Sequence, residues 1–398
     1  MNIIENIKNS LEGTKLNITY LEKAVNVGLP NPKVESWKYT PLTFPVSNYN
    51  IAKLDDNQNN LELFKYIDRY PREKELPLHI LNGEIINIIP NLNKTKRQNQ
   101  ENFFIQDFFY CLNQSTNEEN YSFQLDHNSE TKNYSLVIGS YAEDENFLAN
   151  TNLSFVIKKN SEFEIDFYFS NFSKKSFLQN NYFSFKIEEN AKLKINILEE
   201  DQNHLNLINN FHFDLQDNTK LDLTVFAIDG IFTRNNFQVE INGQNCDALL
   251  NGLYLGTKKN VVDNHILVNH NMPNSHSNQF FKGILEDKSR GVFNGKVYVR
   301  KDAQKTNAYQ SNKNMLTSTD AQIYTKPELE IYADDVKCSH GATSGFLQDN
   351  EMFYLMTRGI SREESKSMLL KAFAHEVIER LNNSDYEHWL EKKIDDLI

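Results

Sequence analysis

From about residue 150 the chain repeats one pattern: an apolar side chain at every second position of a short run. Phe163, Ile165, Phe167 and Phe169 alternate with Glu164, Asp166 and Tyr168. A strand turns successive side chains to opposite faces, so this alternation describes a strand with one face buried. Phe183/Phe185/Ile187, Leu193/Ile195/Ile197, Phe211/Phe213/Leu215 and Leu221/Leu223/Val225 repeat it as separate short strands, with no helical pattern between them. The core is therefore all-β. Two arrangements stay open on pattern alone: an antiparallel sandwich or jelly roll, and a β-helix whose short strands stack along one axis. Tight hairpins favour Asn-Gly and Asp-Gly, and few such pairs stand at strand junctions here. Asp229-Gly230 and Asn242-Gly243 are the exceptions, so the balance tilts to the solenoid.

Helical spacing brackets this core. Ile3, Ile4, Ile7 and Leu11 recur as on one helix, and a second short helix carries Leu21, Ala24 and Val25 before Gly28 and Pro30 stop it. Residues 43–135 are mixed, and the aromatic run FFIQDFFYCL at 103–112 has no clear period. Beyond residue 360, Leu369, Phe373, Val377 and Leu381 form an i+4 ridge widened by Leu370 and Ile378. Ser361 with Glu364 has capping-box spacing, as does Ser384 with Glu387 before a last helix carrying Tyr386, Leu390, Ile394 and Leu397. Three parts are expected: a helical and mixed region over 1–135, a β core over 136–345, and a helical region over 346–398.

Composition removes several classes of function. The formal charge of -12 works against attraction to nucleic-acid phosphates or anionic membranes. No window reaches the ~20 apolar residues of a membrane-spanning helix. The opening MNIIENIKNSLEGTK lacks the layout of a secretory or organellar leader and reads as mature sequence. Three cysteines match no zinc spacing and no disulfide framework, which fits a reducing, cytoplasmic setting. The abundance of Asn, Lys and Ile is assigned to an AT-rich coding bias, with no functional weight on the Asn-rich loops.

Neither a GxxxxGK[ST] loop nor a GxGxxG turn is present, so nucleotide binding and ATP hydrolysis are not expected of this chain. His265, His270 and His276 are spaced by five and six residues, match no compact zinc motif and read as structural. Asp334-Asp335 reads as a solvated turn, and Cys111 and Cys246 as structural thiols. The segment Cys338-Ser339-His340 differs. In an extended chain, residues i and i+2 share a face, which sets thiol and imidazole side by side as a half-site for iron. Two ligands hold no cluster, so the others would come from elsewhere, such as a partner chain. Alone the tripeptide is a weak signal, since a cysteine in an apolar strand is more often a small buried hydrophobe.

The surrounding residues carry a resemblance. TKPELEIYADDVKCSHGATSG followed by EMFYLMTRGIS is similar to the C-terminal signature of the SufB/SufD family of iron–sulfur cluster assembly scaffolds. KGILEDKSRGVFNGKVYVRKDAQKTNAYQSNKNML extends the match upstream, and ESWKYTPL at 35–42 resembles the N-terminal signature of the SufD branch. The resemblance implies a right-handed parallel β-helix flanked by helical ends. It also implies a non-catalytic scaffold that pairs with SufB and engages the ATPase SufC, so that ATP is SufC's ligand. The family's interface cysteine and histidine fall on Cys338 and His340, which would hold a transient iron–sulfur cluster with further ligands from SufB. Cluster type, a flavin in the complex and a homodimer of the isolated chain stay open. The C-terminal ridge offers more apolar surface than the tail alone would bury, which makes it the expected SufC contact, with Tyr354, Arg358 and Phe373 as contact residues. From another class, a β-helix enzyme acting on polysaccharide is the alternative, although no set of catalytic carboxylates is recognisable.

Overall fold

The computed structural model describes residues 17–44, 46, 49–52, 78–87, 107–116, 121–126, 133–381 and 384–397. The helix expected around Ile3 to Leu11 lies outside them. Among the described residues seventeen strands form one solenoid of about seven turns, built almost wholly from parallel pairs. The first strands are β1 (Asn50–Ile51), β2 (Leu78–Leu81), β3 (Glu84–Ile85), β4 (Tyr121–Leu125), β5 (Asn133–Ser140), β6 (Phe147–Ile157), β7 (Glu162–Asn171) and β8 (Phe177–Ile187). Then come β9 (Lys192–Leu215), β10 (Lys220–Ile241), β11 (Asp247–Gly256), β12 (Val261–His270) and β13 (His276–Leu285). The last are β14 (Arg290–Val299), β15 (Asn307–Leu316), β16 (Gln322–Ile331) and β17 (Lys337–Phe346).

Pairing divides the strands into two walls. One wall runs β2, β5, β7, the first part of β9 and of β10, β11, β13, β15 and β17. The other runs β4, β6, β8, the second part of β9 and of β10, β12, β14 and β16. Leu193/Ile195/Ile197 and Phe211/Phe213/Leu215, expected as two strands, are thus two halves of one continuous strand that crosses from wall to wall. One antiparallel pair occurs among the described residues, β2 with β3, at an Asn82-Gly83 turn with φ of 52° and 87°. Asp229-Gly230 lies inside β10 and makes no hairpin.

Because the turns stack in register, like residues meet like. Phe155, Phe185 and Phe213 stack with ring centroids 4.9 Å apart at each step, and Phe211 stacks on Phe237 at 5.4 Å. Beside the rings runs a polar seam. Asn181 donates to Asn209 at 2.9 Å, Asn209 to Asn235 at 3.1 Å, and Asn235 to Asn264 at 3.4 Å. Glu199 accepts from Asn209 at 2.8 Å and from Asn235 at 2.9 Å, fully inside the solenoid. A second asparagine ladder follows one outer corner. Asn160, Asn190, Asn218, Asn245 and Asn274 all sit at φ between 57° and 63°, where asparagine is among the few tolerant side chains. Their amides chain together at 3.0, 3.1 and 3.2 Å over the first four. The Asn-rich loops, assigned to codon bias from the sequence, therefore do structural work at these corners.

Helices cover the outer faces. Helix α1 (Ile18–Val27) ends at Gly28, φ 73°, and packs with α2 (Phe108–Thr116) and Trp37 on Leu148, Leu178, Ile208, Phe232 and Val261. Opposite, α3 (Asp349–Thr357) leads to α4 (Arg362–Ile378) and α5 (Ser384–Leu397). The expected capping box starts α4: Ser361 accepts from the Glu364 amide, and Glu364 accepts from the Ser361 amide. Leu370, Ala374, Val377, Ile378, Leu381, Tyr386, Leu390 and Ile394 bury against Tyr168, Leu198, Phe226, Leu253, Phe280 and Ile284. Lys282, almost wholly buried, anchors α4 by an ion pair to Glu376 and a 2.7 Å bond to the Phe373 carbonyl.

Burial pushes the Glu199 carboxyl up to about 7 against the opposing pull of its two asparagine donors. A glutamate in an unfolded chain titrates near ~4.3, so the folded state holds the extra proton between the two values. The stability contributed by Glu199 is thus full below pH ~4.3 and is lost as pH rises toward 7, by on the order of 3 kcal/mol. In denaturant titrations Glu199→Gln should gain stability relative to the unchanged chain between pH 5 and pH 8; a pH-independent difference would contradict the buried carboxyl.

Candidate functional site

Along one wall, the lumen-facing columns lose their large aliphatic side chains toward the C-terminal end, and one of them turns polar. Leu223, Leu250, Gln279, Gln310 and His340 follow one another in register, as do Leu221, Ala248, Ser277, Ala308 and Cys338. A third column runs Val225, Gly252, Phe281, Asn312, Ala342. The polar layer one turn in is bonded within itself: Gln310 donates to Gln279 at 3.2 Å, Asn314 to Asn312 at 2.7 Å, and Asn312 to the Tyr254 hydroxyl at 3.3 Å, while Gln279 Nε2 and Gln310 Oε1 are buried without a partner among the described residues. Beyond it the turn made by β16 and β17 ends the solenoid. Among the described residues β16 pairs only with β14, and β17 only with β15.

Cys338 and His340 therefore stand on the same face of the terminal strand, as the alternation requires. Their surroundings differ. Cys338 is half-buried against Ala308, Leu329, Ala333 and Val336 with Val297 and Val299. Burial pushes its thiol up, and a backbone hydrogen bond at Ala308 opposes this only in part. His340 is exposed, and among the described residues its ring makes no hydrogen bond. Gly341 beside it lies within the strand rather than at a turn, so a histidine that merely braces a Gly341 turn is not what the structure contains. No group of three or more His, Cys, Asp or Glu side chains is placed to hold a metal among the described residues.

The other candidates separate. His270, pushed down to about 3 by burial and by His276, hydrogen-bonds the Ser277 hydroxyl at 2.8 Å. His276 meets Asp247 at 2.7 Å near the surface. His265 lies 2.9 Å from Asp263, which is fully buried with Arg234 at 2.6 Å. Burial opposes ionisation of Asp263, but His265, Arg234 and Thr40 together hold its carboxyl below the usual range. Asp334-Asp335 forms a turn whose Asp335 carbonyl accepts from Lys305 at 2.6 Å. Burial, with Asp107 adding to it, pushes Cys111 to about 12, and Cys246 Sγ donates to the Gln216 carbonyl at 3.1 Å. Glu162 and Glu164, in the cleft near residues 160–222, are each ion-paired to a lysine at 3.2 Å.

At the C-terminal side the expectation needs correcting. Of the ridge Leu369, Phe373, Val377 and Leu381 with Leu370 and Ile378, the residues Leu370, Val377, Ile378 and Leu381 are buried on the β wall, whose own outer face is apolar there, and Leu369 and Phe373 are half-buried, so the ridge is not a free surface. Phe373 is half-buried over the Lys282 ammonium at 4.4 Å. What remains exposed is α3 and its approach, Phe346 at 57%, Phe353 at 68% and Tyr354 at 58% with Met356, and Met368 on α4. Arg358 reaches the Tyr354 hydroxyl at 3.4 Å on that same face. Phe353 was missed from sequence because a short helix with an apolar outward face looks like one with an apolar inward face, and Phe346 because it ends a strand, β17. The ESWKYTPL motif also acquires a place: Trp37 stacks 3.9 Å from the Arg234 guanidinium, and Thr40 donates to Asp263 at 2.6 Å.

A raised thiol pKa makes Cys338 a poor nucleophile in the lone chain, since the thiolate is the reactive form. Iodoacetamide at pH 7.5 should label Cys338 several-fold more slowly than a free cysteine model peptide, with the rate still climbing above pH 9; peptide-like labelling would contradict the environment described.

Residues 140–373 match the family model for the SUF system FeS cluster assembly SufBD core domain. The iron–sulfur cluster assembly protein SufD of Escherichia coli is 42% identical over 158 residues, 40% of this chain and 37% of that protein. A SufBD family protein of Synechocystis is 39% identical over 149 residues, 37% of this chain and 33% of that protein. The chloroplastic protein ABCI7 of Arabidopsis thaliana is 33% identical over 168 residues, 42% of this chain and 35% of that protein. The chain thus matches between a third and two fifths of the length of these relatives. With a β-helix whose matched stretch runs from β5 through the terminal turn into α4, the chain belongs to the SufBD family of the SUF iron–sulfur cluster assembly system.

Proposed function

We propose that this chain is a non-catalytic scaffold subunit that pairs with SufB through the last turn of its β-helix and engages the ATPase SufC through α3. The observation that carries the reading is the pair Cys338 and His340 on a terminal strand with one unpaired edge. Strand edges present unsatisfied backbone donors and acceptors, and a second chain satisfies them by adding a strand. Such an addition would bring the second chain's side chains up to His340 and Cys338, where further ligands complete a coordination shell that two groups leave open.

The nascent cluster is cargo in this reading, held in passing. A neutral imidazole donates a lone pair to iron without first losing a proton, whereas a buried thiol must ionise. His340, exposed, is accordingly the principal ligand or proton-handling group, and Cys338 the lesser. The SufC contact is Phe353 and Tyr354 with Arg358, since aromatic and arginine side chains dominate interface energetics. ATP hydrolysis belongs to SufC.

In the complex with SufB and SufC, His340→Ala should leave the assembled mass unchanged and lower iron and sulfide per complex at least several-fold, with a smaller loss for Cys338→Ala. Normal cluster content in the His340→Ala complex would refute a chemical role, and loss of the complex would make the role structural. Phe353→Asp should weaken SufC capture about tenfold or more while moving the melting temperature of the lone chain little, because the side chain is 68% exposed. Undiminished capture would place the SufC contact elsewhere.

A further inference from the structure

Residues 35–40 of the ESWKYTPL motif cross four successive rungs of one wall. At β10, Arg234 donates to the Ser36 carbonyl at 2.9 Å beneath Trp37. At β12, Asp263 takes the Thr40 hydroxyl. At β14, Arg290 reaches the Tyr39 carbonyl at 3.4 Å and at the same time binds Gln322 of β16 at 2.7 and 3.1 Å. At β16, the Tyr39 ring stacks on Tyr324 with centroids 4.7 Å apart and planes 16° apart, and Glu35 meets Lys326 at 2.8 Å. The buried Trp37–Arg234–Asp263 cluster is the anchor, and the Tyr39 and Glu35 contacts are the reach.

β16 is where such a reach matters. Among the described residues its other edge is open, all its residues but the exposed Gln322 and Ile331 are half-buried, and Leu329 on it shares with Cys338 the small apolar cluster that ends the solenoid. An edge strand held on one side only is the part of a sheet that opens at least cost.

We propose that residues 35–40 are a strap that holds β16, and through it the Cys338/His340 turn, in the form in which a second chain adds to its edge. Tyr39 is its principal positioning residue, through the stack on Tyr324. The proposal rests on the pairing with SufB described above. Trp37 and Thr40 fix the strap to the interior, so Tyr39, only half-buried, can be changed without disturbing the anchor.

The test uses the full-length chain with Tyr39→Ala and Tyr39→Phe, read first alone by amide hydrogen exchange and then by affinity for SufB. In Tyr39→Ala, amides of residues 322–331 should exchange about tenfold faster while those of 192–200 do not change, and SufB affinity should fall by a similar factor. Tyr39→Phe keeps the stack and should match the unchanged chain in both. Unaltered exchange over 322–331 in Tyr39→Ala would overturn the strap. Faster exchange with undiminished SufB affinity would overturn its role in presenting the edge. Failure of the unchanged chain to bind SufB would instead overturn the pairing itself, with the exchange data still deciding whether the strap exists.

Discussion

Each turn of a parallel β-helix satisfies the backbone hydrogen bonds of its neighbours, so the need for a partner passes along the stack until the last turn, where it is left unmet. Covering helices guard the outer faces here but not that end. The N-terminal helices pack on one wall and α4 and α5 on the other, while among the described residues β16 and β17 keep one free edge each. A free edge is ordinarily a hazard for aggregation. Its position beside Cys338 and His340 is what turns it into a candidate for specific pairing.

The interior is graded toward that end. Stacked phenylalanines fill the middle turns and supply apolar burial, each ring worth ~1.5–3 kcal/mol. Glutamine and asparagine then replace them, fixed by hydrogen bonds within the last full turns. A lumen closed by a polar layer hydrogen-bonded within itself allows polar side chains at its mouth. The strap over the opposite wall fits the same scheme, because rigidity at an edge lowers the ordering cost of pairing.

Much of this was legible from residue order. Period-two alternation marked the strands, and it also placed Cys338 and His340 on one face. Ser361 and Glu364 marked the start of α4 correctly. What was hidden has physical causes. The run at 103–112 showed no clear period where it enters α2, because that helix is buried on every side from Phe108 to Ser115 and its apolar residues do not form a stripe. The two halves of β9 looked like separate strands because a solenoid corner, where the register with β10 shifts between Gly230 and Phe232, interrupts the alternation. The C-terminal ridge looked free because its partner, the outer face from Tyr168 to Ile284, is spread over five strands far off in the chain. Open edges, the raised Cys338 thiol and the reach of Tyr39 to Tyr324 are properties of register and distance, which no local pattern carries.

The central claim is that the second chain adds at the mouth of the β-helix, and proximity cross-linking reads it most directly. A photo-cross-linking amino acid in place of Ser344, exposed on β17, is compared with one in place of Glu189 at a solenoid corner, each in the full-length chain mixed with SufB. The account predicts a strong cross-link to SufB from position 344 and none from position 189. Equal cross-linking from both positions, or a cross-link from 189 alone, would contradict it.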